Sequence, residues 1–185
     1  MADPVDPPAA GASEEPVLGL ERGAVRLVPH TQRWAALYRE EEAHLRAALD
    51  GVLIDIQHFG STSIPGIRAK PILDILAGVR SRDEVLERRP QLQALGYRYV
   101  PGAGVPGHHV FGKGEPRTHL LHVVEHAGRG WSENLWFRDQ LRADPALAAE
   151  YDALKLRLAR AHPGDRARYT DEKGAFVQRI RQGAV

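Results

Sequence analysis

Residues 58–74 read HFGSTSIPGIRAKPILD, and this stretch decides the fold that the sequence predicts. The run leading into it, Val52 to Phe59, is rich in β-branched and apolar side chains and ends at a glycine. The run leaving it, Pro71 to Val79, is apolar and nearly continuous, with a single charge at Asp74. Runs of this length and composition predict two buried strands joined by a loop.

The loop between these strands has the composition of an anion-binding turn. Gly60 allows close approach of the backbone to a ligand. The hydroxyls of Ser61, Thr62 and Ser63 can donate to phosphate oxygens, as can the backbone N–H groups of the turn. An ordinary connection, in which Ser and Thr bond the local backbone, fits the same residues. The loop is therefore a candidate phosphate site whose interpretation depends on the residues that follow.

Two charged residues follow the loop. Lys70 comes immediately before the second strand, and Asp74 lies inside that strand among leucine and isoleucine. A carboxylate in such a run is costly unless it is paired with a cation, bound to a metal or placed at the exposed end of the strand. A structural ion pair and a functional carboxylate both remain open.

Outside this segment, apolar spacing predicts a mixture of helices and strands. One helix is expected from about Thr31 to Leu49, and another from Arg82 to Leu95, which Pro90 kinks or splits. Asp144 is a candidate N-cap for a later helix. The remaining predicted elements are strands at Tyr97 to Val100, His109 to Gly112 and Thr118 to Glu125, and helices at Ser132 to Leu141, Pro145 to Ala161 and Asp171 to Arg181. This order predicts an α/β (α+β) fold, with a mixed β-sheet flanked by helices.

Length and composition limit the possible functions. The chain has 185 residues, 25 Lys and Arg against 24 Asp and Glu, and no cysteine. A formal net charge of +1 provides no broad field for nucleic acid or an anionic membrane, so we expect neither as a partner. The missing cysteines exclude disulfides, thiolate zinc sites and a cysteine nucleophile. Without a long apolar run or a recognisable signal peptide, the sequence predicts a cytoplasmic protein.

The N-terminal segment differs from the rest of the chain. Residues 1–22 combine proline, alanine, glycine and acidic residues without periodicity. Such a composition does not bury enough apolar surface to offset the entropy of ordering the chain, so we predict a disordered tail. Residues 23–185 then form one domain of ordinary size.

Longer motifs carry a resemblance to a known family. The string from His58 to Leu76, HFGSTSIPGIRAKPILDIL, is similar to the signature of the GrpB family, which is placed in the nucleotidyltransferase superfamily. The similarity continues in later stretches, which are LGYRY (95–99), LHVV (121–124), FRDQL (137–141), YDALK (151–155) and YTDEK (169–173). The resemblance implies a nucleotidyltransferase-like core. Its loop would hold the phosphates of a nucleoside triphosphate, Lys70 would neutralise them, and Asp74 would bind Mg²⁺ during transfer of a nucleotidyl group to a small-molecule acceptor.

The sequence departs from that superfamily at one position. Its active members resemble one another in having a second carboxylate two residues after the first, whereas Ile75 and Leu76 follow Asp74 here. Asp74 could hold one Mg²⁺ together with substrate phosphates, or it could orient Lys70 or an arginine without a metal. Asp55 and Glu125 are the nearest candidates for the missing carboxylate. The alternative to an enzyme is a non-catalytic module that binds a nucleotide or another anion.

Further candidate residues lie before and after this segment. His122 is interpreted as a core or supporting histidine, a ligand or a general base. His58 either touches the ligand or caps the sheet edge. Arg117 and Lys173 are candidates for binding phosphate, as are Arg138, Lys155 and Tyr169 if the fold brings them to one cleft. Solvated helix faces are the alternative for these last residues.

Overall fold

The structure is a computed structural model that describes residues 17–102 and 107–182. Within these residues, a five-stranded mixed sheet is flanked by six helices. In chain order the elements are α1 (Arg33–Ala48), β1 (Leu53–Phe59), β2 (Leu73–Val79), α2 (Arg82–Glu87), α3 (Arg89–Ala94), β3 (Tyr97–Tyr99), β4 (His109–Lys113), β5 (His119–Glu125), α4 (Arg129–Ala143), α5 (Pro145–Ala161) and α6 (Arg166–Gln182). A short 3-10 turn, Ser61–Ser63, follows β1.

The strand order in the sheet is β1-β2-β5-β4-β3. Strands β2 and β5 pair in parallel at the centre, and the remaining pairs are antiparallel. The register places one residue of each strand in a single row across the sheet, namely Phe59, Asp74, Leu120, Gly112 and Arg98. Because neighbours in a row share a face, Asp74 lies on the same side of the sheet as the end of β1.

The two faces of the sheet are covered by different helices. On one face Ile75, Leu121 and Phe111 pack with Leu45 of α1 and with Leu49, which follows α1, in the largest buried cluster. Each such fully buried side chain stabilises the fold by about 1.5–3 kcal/mol relative to an exposed one. The other face, which carries Asp74, is covered by α4, α5 and α6, with Trp131 of α4 packed on Leu76 and residues of α5 and α6 on the segment after the loop.

Most of the predicted elements are confirmed. The helix predicted over Arg82 to Leu95 is split into α2 and α3 just before Pro90. Asp144 caps α5, since its carboxylate accepts hydrogen bonds from the backbone N–H groups of Ala146 and Leu147 at 2.9 and 3.0 Å. The predicted fold class, a mixed β-sheet flanked by helices, is confirmed.

Helix α6 begins five residues earlier than predicted, at Arg166 instead of Asp171. The Asp165 carboxylate accepts from the backbone N–H of Arg168 at 3.0 Å, which satisfies one of the free donors of the first turn. Tyr169 therefore lies within the helix, one turn before Lys173. None of the helices in the described residues is long and apolar enough to cross a membrane.

The packed chain begins before the predicted end of the tail. Leu20 is 4% exposed, and it exchanges two backbone hydrogen bonds with Arg117, at 3.0 and 2.9 Å. The Trp34 indole N–H donates to the carbonyl of Val17 at 3.2 Å. Residues 17–22 are thus held by backbone pairing, which their composition did not indicate. The part of the predicted tail before Val17 lies outside the described residues.

Candidate functional site

A cavity of about 860 Å³ lies between the Asp74 face of the sheet and helices α4 to α6. This volume is in the range of pockets that hold small molecules and cofactors. Eight of the predicted site residues line it, namely Gly60, Ser61, Thr62, Lys70, Asp74, Arg117, His122 and Lys173. The fold therefore brings most of the predicted site together.

The loop turns toward the cavity at Gly60, which has an unusual backbone conformation. Its φ of 67° and ψ of −174° lie in a region that only glycine adopts readily. A Cβ atom at this position would also collide with the Asp74 side chain. The Ser63 hydroxyl donates to the Gly60 carbonyl at 2.7 Å and closes the turn. Ser61 and Thr62 consequently line the cavity, while the hydroxyl of Ser63 is occupied by the backbone.

His58 supports the loop from behind and does not face the cavity. It lies on the α1 face of the sheet, where its ring stacks on Tyr38 with centroids 4.8 Å apart. Its Nε2 atom is 3.0 Å from the Thr62 hydroxyl. Burial, reinforced by the positive charges of nearby arginines, lowers the pKa of His58 to about 3. A neutral imidazole therefore fixes the orientation of Thr62, which differs from the predicted contact with the ligand.

Two arginines of α4 hold the same loop at its backbone. Arg138 donates to the carbonyl of His58 and to the side chain of Gln57, both at 3.0 Å. Arg142, one turn later, donates twice to the carbonyl of Ser63, at 3.0 and 2.8 Å. Residues four apart share a helix face, so both guanidinium groups reach the same segment. Arg138 was predicted as a possible cleft residue, and Arg142 was not identified.

The segment that follows the loop is anchored by α5. The Asp152 carboxylate accepts from the backbone N–H of Arg68 at 2.7 Å and from its guanidinium at 2.6 Å. Lys155 donates to the Arg68 carbonyl and lies 3.6 Å from Asp152. Lys155 is only 1% exposed, which rules out a solvated helix face. The YDALK stretch thus fixes the backbone two residues before Lys70.

Three cations surround the centre of the cavity. They are Lys70, which lies 5.0 Å above the ring of Tyr169, and Arg166 and Lys173 of α6. In residues 17–102 and 107–182, no carboxylate oxygen lies within 4.0 Å of their charged nitrogen atoms. Burial lowers the pKa of Lys70 to about 7, and the like charges of Lys173 and Arg166 act in the same direction. Like charges held in one cavity repel one another, so an anion placed among them would stabilise the group.

Asp74 provides the carboxylate at the floor of the cavity. Its side chain is 31% exposed, and burial raises its pKa above the usual range. The Nε2 atom of His122 lies 4.0 Å from its Oδ1 atom. The other ring nitrogen of His122 is 3.3 Å from Nδ1 of His108. Burial lowers the pKa of His122 to about 4, so its imidazole is neutral near pH 7.

The residues around Asp74 fit an anion better than a metal ion. Among the described residues, no group of three or more histidine, cysteine, aspartate or glutamate side chains is arranged to hold a metal. Asp55 is engaged by its own strand and by Gln57, and Glu125 lies opposite Val79 at the far end of β2. Neither supplies the carboxylate missing beside Asp74, whose charged neighbours are cations. The magnesium site expected from the resemblance stays a prediction.

Arg166 is the residue of the central group that the sequence analysis missed. The predicted helix began five residues too late, so Arg166 was assigned to no element. Arg166, Tyr169 and Lys173 are spaced three and four apart and share one face of α6. If Asp165 had been interpreted as the N-cap, the predicted helix would have begun at Arg166 and included this pattern.

The family of this chain is shown by comparison with known proteins. The profile of the family described as GrpB protein matches residues 24–183. The chain belongs to the GrpB family. It is 41% identical over 170 residues to the glutamate-rich protein GrpB of Alkalihalophilus pseudofirmus, covering 89% of this chain and 98% of that relative. The resemblance stated from the sequence motifs is thereby confirmed.

Solved structures confirm the fold of this GrpB-family chain. The crystal structure of the conserved protein GrpB from Enterococcus faecalis matches with a TM-score of 0.78 and 32% identity, over 86% of this chain and 96% of that one. A structure of Cid1 in complex with its short product ApU matches with a TM-score of 0.50 and 14% identity, over 71% and 42% of the two chains. The fold is nucleotidyltransferase-like.

Proposed function

We propose that this GrpB-family chain binds a nucleoside triphosphate in the cavity and transfers its nucleotidyl group to a small-molecule acceptor. The observation that carries the proposal is the excess of positive charge at the loop that begins at Gly60, where three cations, Lys70, Arg166 and Lys173, surround the carboxylate of Asp74. Phosphate groups supply the negative charge that such a group requires, and they accept hydrogen bonds from hydroxyls as well.

The phosphates would lie between the loop and α6. Ser61 would donate from the loop side, and Lys70 and Lys173 would neutralise the charge from the opposite side. In this arrangement the protein's own cations take over much of the charge neutralisation that metal ions provide in other phosphoryl-transfer sites. Binding would therefore persist when divalent metal is removed.

The proposed chemistry uses Asp74 as the proton acceptor. An acceptor hydroxyl attacks the α-phosphorus, a new P–O bond forms, and the bond to the β-phosphate breaks so that pyrophosphate leaves. The hydroxyl proton passes to the Asp74 carboxylate, whose raised pKa suits this role. Neutral His122, 4.0 Å away, orients that carboxylate.

The alternative is a module that binds a nucleotide or another anion without reaction. It is favoured by the single carboxylate at Asp74, because active members of the superfamily carry two in this region. The loop and the cations would be the same in both cases, so binding alone does not separate the two functions.

Isothermal titration calorimetry with ATP, GTP, CTP and UTP, in Mg²⁺ and in EDTA, tests the binding. Lys173→Met is expected to weaken the preferred nucleotide at least about tenfold, since a hydrogen bond to a charged group contributes about 1.5–3 kcal/mol. Arg39→Met removes an exposed charge of α1, on the opposite face of the sheet, and is expected to change nothing. Failure of all four nucleotides to bind the wild-type protein contradicts the proposal.

Mass spectrometry separates the enzyme from the binding module. The protein is incubated with the preferred nucleotide and a metabolite extract, and products are sought whose mass has increased by one nucleotidyl group. If the protein is an enzyme, the wild type forms such a product. Asp74→Asn then forms none, although it still binds the nucleotide. Binding without any such product supports the module.

A further inference from the structure

We infer that the cavity has a second anion subsite at Arg117, on the far side of Asp74 from the loop, which binds a carboxylate or phosphate group of the acceptor. This inference rests on the proposed function, because it specifies the acceptor of that reaction as an anionic small molecule.

Arg117 is held in position by its backbone and by the strand beneath it. Its N–H and carbonyl pair with those of Leu20, at 2.9 and 3.0 Å. Its guanidinium lies directly over Gly112 of β4, so closely that a Cβ atom at Gly112 would occupy the same space. A glycine in the middle of a strand weakens the strand unless it makes room for another group. Here it makes room for the guanidinium of Arg117.

The guanidinium of Arg117 forms no close ion pair in the described part of the chain. No carboxylate oxygen there lies within 4.0 Å of it, and the charged groups that act on it are Arg166, Glu115 and Arg22, two of them positive and one negative. Burial lowers its pKa, with Arg166 acting in the same direction. Arg166 and Arg22 repel the Arg117 guanidinium and Glu115 attracts it, so an anion in the cavity would offset the positive charge that remains in excess.

The position of Arg117 separates it from the nucleotide phosphates. The loop follows β1, Asp74 is on β2, and the Arg117 guanidinium covers β4, with β5 between. At about 4.8 Å per strand, the loop and the guanidinium are roughly 14 Å apart and Asp74 lies between them, about 10 Å from Arg117. An acceptor whose hydroxyl lies at Asp74 would therefore reach Arg117 with an anionic group that is a few bonds away from that hydroxyl.

The chemistry of the guanidinium indicates which group this is. A guanidinium binds a carboxylate or a phosphate through two parallel hydrogen bonds, and that of Arg117 lines the cavity where such a group would lie. Arg98 of β3 lines the same end of the cavity, in the same row across the sheet. An anionic acceptor is therefore favoured over a neutral one such as a simple sugar or alcohol.

Arginine-detected NMR tests the subsite directly. The Nε–H resonance of Arg117 is assigned by its absence in Arg117→Met, and the protein is titrated with inorganic phosphate and, separately, with acetate, with and without saturating nucleotide. We expect at least one anion to shift the resonance in a saturable manner while the nucleotide stays bound. The two anions distinguish a phosphate subsite from a carboxylate subsite.

Matched variants show whether anion binding depends on the position of the Arg117 guanidinium or only on its positive charge. Gly112→Ala keeps the charge of Arg117 but displaces it, and is expected to weaken anion binding about tenfold, with Arg39→Met unchanged. The inference is overturned if neither anion shifts the resonance, if Gly112→Ala binds as well as wild type, or if Arg117→Met weakens nucleotide binding as much as Lys173→Met does. Absence of nucleotide binding in the wild type overturns the proposed function instead, and the titration without nucleotide still decides whether Arg117 binds an anion.

Discussion

The Nε2 atom of His122 lies 4.0 Å from Oδ1 of Asp74, across the two parallel strands at the centre of the sheet. On its other side, His122 is 3.3 Å from His108 through the Nδ1 atoms of both rings. A carboxylate favours an N–H that points toward it, so the proton of neutral His122 is expected on Nε2, with His108 donating to its Nδ1. The Nε2–H group of His122 would thus face Asp74, with the tautomer of His122 set by a second histidine.

We predict that His122 stays neutral and in the Nε2–H form from about pH 8 to pH 5, because burial lowers its pKa to about 4. Long-range ¹H–¹⁵N correlation spectra of the histidine side chains measure both the charge and the tautomer. Phenylalanine in place of His108 removes the donor to Nδ1 and is expected to shift the tautomer equilibrium of His122. A His122 resonance that titrates between about pH 5.5 and 7.5 contradicts this prediction.

Alanine at Gly60 is predicted to destabilise the fold by about 3 kcal/mol, since a backbone conformation reserved for glycine and a collision with Asp74 add together. Urea unfolding measures the loss. Gly66→Ala is the matched control, because Gly66 also has a positive φ, of 83°, but no atom lies within 4 Å of a Cβ there. It is expected to cost about 1 kcal/mol. Equal losses in the two variants argue against the close contact with Asp74.

Asn in place of Asp152 is predicted to cost about 3 kcal/mol of unfolding free energy, because it leaves Lys155 buried without its counter-charge. The matched control is Glu150→Gln on the same helix, which breaks an exposed ion pair with Arg179 and is expected to cost less than about 1 kcal/mol. Thermal or urea unfolding of both variants provides the comparison. A loss in Asp152→Asn no larger than in Glu150→Gln indicates that water reaches Lys155.

Stability is predicted to decrease as the pH falls from about 7 to 5. Burial lowers the pKa of His119 to about 4, whereas an unfolded histidine has a pKa of 6.5. Below about pH 6.5 this histidine binds a proton in the unfolded chain but stays neutral in the folded chain. The free energy of unfolding therefore decreases until the pH reaches the pKa of His119 in the folded state. His58, whose pKa is lowered to about 3, acts in the same direction.

The contribution of His119 is measured by comparing its glutamine variant with wild type by urea unfolding at each pH. His119→Gln is expected to reduce the loss of unfolding free energy between about pH 7 and pH 5 by about 2 kcal/mol. Substitution of His44, whose side chain is 62% exposed, serves as the control and is expected to leave the pH profile unchanged. An unaltered profile in His119→Gln contradicts the assignment.

Local chemistry was enough to predict most of the fold. Apolar runs and helical spacing predicted the strands on either side of the loop, the break before Pro90 and the cap at Asp144, because each depends on neighbours within a few residues. The loop residues Gly60, Ser61 and Thr62 were predicted for the same reason. The start of α6 was missed because its first turn is polar and is held by the side chain of Asp165, so that apolar spacing begins only later.

The tertiary structure decided which side each polar group faces and what it meets there. Strand alternation separates His58 from the cavity although it adjoins the loop in sequence, and strand order places Arg117 beyond Asp74 although both were candidates for one ligand. The group formed by Lys70, Arg166 and Lys173 joins residues about one hundred positions apart. Such long-range pairing depends on the packing of α6 against the sheet, and no local pattern encodes it.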